Sequence, residues 1–159
     1  MEFLAPYHPQ LVHAPIALLV VSVVFEAIGL ALDRDWWRRA AFAMLVVGAL
    51  GGLSAVLSGL EAGERAEKQG VPEQAVDAHE EAALLTLWIA IAAVVARAAA
   101  VKLPKLSGVA LVLQLAAAVS VGVAAHRGGK LVFEHAAAVR VNGVPVLKGR
   151  AAPEEHDTR

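Results

Sequence analysis

The sequence predicts an all-α integral membrane protein: an antiparallel, up-down-up-down four-helix bundle with a short C-terminal β-hairpin-like tail. Three observations carry this prediction. Hydrophobic residues make up 58% of the 159-residue chain and charged residues 18%, against about 45–50% and about 25% in soluble domains. The excess lies in four apolar runs, 11–32, 40–60, 82–101 and 106–125, each near the roughly 20 residues a helix needs to cross a bilayer. Runs such as LWIAIAAVVA at 87–96 have no polar face for a soluble bundle to turn to water.

The first helix opens with HPQLVHAP, residues 8–15. Pro9 suits the first helical position, with His8 as its cap. Pro15 removes a backbone hydrogen bond from the second turn and bends it. On an unbroken helix Ser22 and Glu26 lie beneath His8, and His13 lies about 140° round. Either imidazole could be the one that turns to the centre. The second helix carries Gly48, Gly52, Ala55 and Gly59 on one face, small residues that allow close helix contact or leave room for a flat ligand.

The third helix has a stripe at four- and three-residue spacing: His79, Ala83, Thr86, Ala90, Ala93 and Arg97. This stripe is expected to face inward, with Leu84, Leu85, Leu87, Trp88 and Ile89 toward lipid. The fourth helix aligns Gln114, Ala117, Ser120, Ala124, Gly128 and His135, provided it runs on through Gly128-Gly129. Asn142-Gly143 then signals a hairpin turn, and the polar stretch beyond Arg150 is expected to be disordered. The organisation that follows is a transmembrane unit over 8–139 and a polar tail over 140–159.

The connecting segments 33–39 and 102–105 are short and basic, whereas the N-terminal tail has no Lys or Arg and the middle loop is acidic. The positive-inside rule places the two basic loops in the cytoplasm and both termini outside. Trp36 and Trp37 suit the aromatic belt at the inner interface. The N-terminus lacks a basic n-region, so the first helix is expected to be retained. A net charge of −1 gives no pointer to nucleic acid, and the absence of cysteine excludes disulfides and thiolate-ligated metal.

His8, His13, His79, His126 and His135 all fall at one end of such a bundle, the end expected to face outward, while His156 sits apart in the tail. One histidine alone is more often structural. Several converging in a small bundle point to a ligand set, since imidazole holds haem iron, zinc and copper. Glu26 and Arg97 lie at similar depth near the inner face, and a lone carboxylate in a membrane helix needs a partner. They are expected to form a structural ion pair rather than a proton relay, because one pair makes no continuous path.

HPQLVHAPIALL at 8–19 and GGKLVFEHAAAV at 128–139 resemble the two signatures of the bacterial membrane-protein family designated domain of unknown function 2231, HPxxVHFPIALL and GGxLVYxHGVGV. The resemblance spans about 8–139. It makes His8, His13, His79 and His135 the counterparts of the family's recurrent histidines. Ala14 stands where Phe is usual, and Ala136–Ala138 replace Gly-Val-Gly. Members joined to Rieske iron–sulfur or c-type cytochrome domains imply redox work at the outer face.

The expectation that follows is a small b-type haem protein of the bacterial inner membrane that carries electrons, with thin support for enzymatic catalysis. His13 and His79 form the first axial pair. His8 and His135 form a second pair or hold propionates. The expected partners are the lipid bilayer and membrane or periplasmic redox proteins. Copper or zinc held by three or four of the same histidines is the rival, and a non-enzymatic structural or partner subunit is a third reading. The chain offers no nucleophile–base arrangement, phosphate loop or HExxH.

Overall fold

The computed structural model describes residues 4–146, so His156 and the tail expected to be disordered lie outside the described residues. A single 3₁₀ turn, Ala5–Tyr7, leads into α1 (His8–Leu11), which breaks at Val12 before α2 (His13–Ala31). Three longer helices follow: α3 (Asp35–Glu67), α4 (Glu73–Ala100) and α5 (Ser107–Phe133). Counting Ala5–Ala31 as one segment, four helical segments are long and apolar enough to cross a membrane. They extend beyond the expected runs because polar residues continue the helices past the apolar stretch, chiefly at the histidine end and also at the start of α3.

The break at Val12 lies just before Pro15, which lacks the N–H that would bond back toward Leu11. His8 does not cap the helix as expected. Tyr7 occupies the cap position without a side-chain bond, and the His8 ring turns into the bundle instead. Pro15 is buried and its ring rests on Gly51 of α3.

The helices form two antiparallel hairpins, α2–α3 and α4–α5, with α3 also packing on α4 and α2 on α5. Hence α2 and α4 face each other across one diagonal and α3 and α5 across the other. The mid-bundle core is Leu19, Leu45, Ala49, Ala90, Ala93, Ala117 and Val121. Small residues dominate it, because the helices associate by close backbone approach rather than by escape from water. Leu87, expected to meet lipid, is buried; α4 meets α3 as well as α5, so its inward face is wider than one stripe. Trp88 and Leu85 are exposed.

Two tight turns close the helix ends. Gly70 (φ 101°) and Asp33 (φ 48°) take left-handed conformations. Val71 N–H bonds to the Ala66 carbonyl at 3.1 Å, and Arg34 N–H to that of Gly29 at 3.0 Å, as in Schellman motifs. After α5, β1 (Arg140–Val141) and β2 (Val144–Pro145) form an antiparallel ribbon with Arg140 opposite Pro145 and Val141 opposite Val144. Asn142 (φ 52°) and Gly143 (φ 79°) make its turn.

Between α5 and this ribbon, Ala137 packs with Val71 and Val76 over the histidine end. Ala136 (φ 53°) and Ala138 (φ 60°) flank it in the left-handed region, where a Cβ costs about 1–2 kcal/mol. Glycine, which stands at both positions in the signature this stretch resembles, would take this backbone shape without strain. Ala136→Gly and Ala138→Gly are each expected to stabilise the protein by up to about 1 kcal/mol, the relief of strain exceeding glycine's entropy cost. Thermal midpoints in detergent test this, and a fall for both variants would show that these turns are unstrained.

Candidate functional site

His8 enters from α1 and His79 from the second turn of α4, and their ring centres lie 6.3 Å apart with planes inclined at 76°. Each ring is fixed by its Nδ1. His8 Nδ1 meets Ser58 Oγ at 3.0 Å, and Ser58 Oγ donates to the Ala55 carbonyl at 3.0 Å. The hydroxyl has one proton; with that proton on the Ala55 carbonyl, His8 Nδ1–H donates to Ser58 Oγ. His79 Nδ1 lies 3.0 Å from the Ala124 carbonyl, which can only accept. With Nδ1–H directed at these partners, a neutral ring carries its lone pair on Nε2. That is the state in which a ligating histidine is oriented by a carbonyl or hydroxyl behind it.

Glycine makes room for each ring. A Cβ on Gly59 would stand 3.1 Å from Cε1 of His8, and one on Gly128 would stand 2.9 Å from Cε1 of His79. Ser58 and Gly59 are adjacent on α3, so one turn of helix supplies both the hydrogen bond and the space. On α5, Ala124 and Gly128 divide the same tasks one turn apart. Arg127 Nη1 donates to the Ala78 carbonyl at 2.6 Å beside His79.

The other histidines are not brought to this pair. His13 is exposed on the outside of α2, and His126 is exposed on α5. His135 lies past the end of α5, half-buried on the turn leading to the ribbon. Among the described residues no group of three or more His, Cys, Asp or Glu side chains is gathered as a metal-holding set. The structure thus pairs His79 with His8 instead of His13. The stripe already shared by His8, Ser22 and Glu26 held that information, since Ser22 and Glu26 are buried. Ser58 was missed because a serine next to a glycine reads as another small packing residue.

Below the histidines run further polar contacts. Thr86 Oγ1 and Ser120 Oγ lie 2.7 Å apart, and Thr86 Oγ1 also donates to the Ala82 carbonyl. Gln114 Nε2 donates to Ser22 Oγ at 3.0 Å, and Ser22 Oγ to the Leu19 carbonyl at 2.7 Å. At the far end Arg97 Nη2 donates to Glu26 Oε2 at 2.9 Å. Arg38, absent from the expected pair, brings Nε to 3.5 Å of Glu26 Oε1. The carboxylate is thus held between two guanidiniums, with its side chain only 3% exposed. A groove of about 640 Å³ lies on the outer α4–α5 face near Leu85, Ile89, Val119 and Val123, and neither paired histidine lines it.

The profile of a family described as "Predicted membrane protein (DUF2231)" matches residues 4–141. No curated protein and no solved structure matches the chain.

Two predictions follow from these contacts. Gly128→Ala is expected to push the His79 ring off the Ala124 carbonyl and cost about 1–3 kcal/mol. Gly122→Ala, whose added methyl meets nothing within 4 Å, should be neutral or gain up to about 1 kcal/mol of helix propensity. Equal melting of the two variants would refute the role of Gly128. Arg97→Leu removes the closer partner of a buried carboxylate and is expected to cost about 3–5 kcal/mol. Glu26→Gln in the Arg97→Leu background should recover part of that loss, and no recovery would mean the loss comes from packing.

Proposed function

The chain belongs to the DUF2231 family of predicted membrane proteins, and from that premise we propose that it is a small electron-carrying protein whose His8 and His79 hold the iron of a b-type haem. The observation that carries this reading is the pair itself: two imidazoles from diagonally opposed helical segments, each with Nδ1 committed and Nε2 left to coordinate. The two ring centres are 6.3 Å apart, near enough for one bound group between them to be reached by both.

A haem held in this way supplies a one-electron carrier. The chain's part is to orient and insulate. Ser58 and the Ala124 carbonyl fix the tautomers and raise the basicity of the opposite nitrogens. Ala55, Gly59, Ala124 and Gly128 keep α3 and α5 thin beside the rings, so a flat ring system has only small side chains to displace. His135, on the turn nearby, is a candidate for the rim of the site rather than for a second axial pair. With the basic loops inside, the site would face the outer side of the bacterial inner membrane, open to membrane or periplasmic redox partners. Copper or zinc on three or four histidines has less support, because only two of the four candidates converge. A purely structural role for the pair predicts a colourless protein.

The test is a visible spectrum of the full-length protein purified from haem-replete cells, oxidised and then reduced. A Soret band and a sharpened band on reduction are expected. His8→Ala and His79→Ala should each abolish them, and His13→Ala should leave them unchanged. A folded protein without a Soret band sinks the proposal. A spectrum lost with His13→Ala but kept with His8→Ala would return the ligand role to His13.

A further inference from the structure

We propose that the bundle is built from two copies of one helical hairpin, related by a pseudo-two-fold axis along its length, so that the partner surface each hairpin fits is a second copy of itself. This does not depend on what the imidazoles bind.

The inference rests on two constant offsets. Between the first helices of the two hairpins the offset is 71: His8 to His79, Pro15 to Thr86, Leu19 to Ala90, Ser22 to Ala93, Glu26 to Arg97. Between the second helices it is 69: Ala41 to Ala110, Leu45 to Gln114, Gly48 to Ala117, Ala55 to Ala124, Gly59 to Gly128. The residues at 15, 19 and 22 are buried, and so are those at 86, 90 and 93; the same holds for 41, 45 and 48 against 110, 114 and 117.

Contacts repeat with the same offsets. His8 sits on Gly59 as His79 sits on Gly128. Pro15 rests on Gly51, and their counterparts Thr86 and Ser120 are hydrogen-bonded. Leu19 packs on Gly48, and their counterparts Ala90 and Ala117 share the core. His8 reaches the Ala55 carbonyl through Ser58, whereas His79 reaches the equivalent Ala124 carbonyl directly. The equivalence therefore holds in packing and hydrogen bonding although few residue identities survive.

A residue can touch its own symmetry mate only near a two-fold axis, where contacts become self-complementary. Two such contacts are seen among the described residues, His8 with His79 and Glu26 with Arg97. They lie 18 residues apart in each half (8 to 26, 79 to 97), about 27 Å at the helical rise per residue, and so mark the axis toward both ends of the bundle. Two neutral imidazoles can meet there as equals. Two like charges could not, since a buried charge needs an opposite partner. The equivalent positions hold Glu in one copy and Arg in the other, which makes the pairing one of unlike halves. A ligand on the axis at the histidine end meets one imidazole from each half, giving one centre rather than two.

The symmetry also specifies a mirror exchange. Arg38, the second partner of Glu26, has Ser107 as its counterpart at the offset of 69. In the full-length protein, Glu26→Arg with Arg97→Glu should lower the thermal midpoint, because Arg38 then faces an arginine. Adding Arg38→Ser and Ser107→Arg moves the whole cluster to the other hairpin and should recover most of the loss. Arg38→Ser with Ser107→Arg alone should destabilise the natural chain by placing a guanidinium beside Arg97. Midpoints are read by tryptophan fluorescence in detergent, which needs no cofactor. The proposal is overturned if the four-residue exchange melts no higher than the two-residue exchange, or if it cannot be recovered folded. It is likewise overturned if Arg38→Ser with Ser107→Arg leaves the natural chain as stable as before.

Discussion

With no water in hydrocarbon, every polar side chain inside this bundle has to be answered by another part of the chain. That constraint accounts for the order of contacts from one end to the other. Imidazole nitrogens are met by a serine and a carbonyl, threonine by serine, glutamine by serine, and carboxylate by guanidinium. Each contact joins different helices, so satisfying the polar groups and fixing the packing are the same event. Small residues assist at the histidine end, where Gly59 and Gly128 leave room for the two rings to reach their partners.

The two ends of the bundle use the constraint differently. At one end the donors are spent on holding two rings still, and each ring keeps an unspent lone pair. At the other, Glu26 is met by two arginines, and its side chain is almost wholly buried. The first arrangement suits coordination; the second suits fastening. Trp36 and Trp37, stacked at 4.2 Å, and Phe25 against Trp37 at 4.8 Å add an aromatic collar beside the fastening.

Much of the fold was legible because membrane spans declare themselves by length and composition. The four segments, the Asn142-Gly143 turn and the gathering of histidines toward one end required only hydropathy and helix count. The depth of Glu26 and Arg97 pointed to each other for the same reason. What was not legible depended on rotation about helix axes. His8 and His13 differ by a fraction of a turn, and the break at Val12 sits between them. Arg38 looked like an ordinary basic loop residue because the sequence does not say that α3 begins early enough to aim it at Glu26. Leu87 looked lipid-facing because one inward stripe was assumed where α4 touches two neighbours. The repeat was hidden because the halves conserve where a residue packs, not which residue it is. A histidine followed 18 positions later by a charge, in the first helix of each hairpin, is the trace it left.

The helices α2 and α4 stand across a diagonal, and side chains of their segments meet toward both ends: His8 with His79, and Glu26 with Arg97. The two meetings differ in kind. The rings come edge to face at 6.3 Å, each hydrogen-bonded to a different helix, whereas the carboxylate and guanidinium are bonded to each other at 2.9 Å in a buried place. The base of the diagonal is therefore locked by a bond across it, and its mouth only by shape.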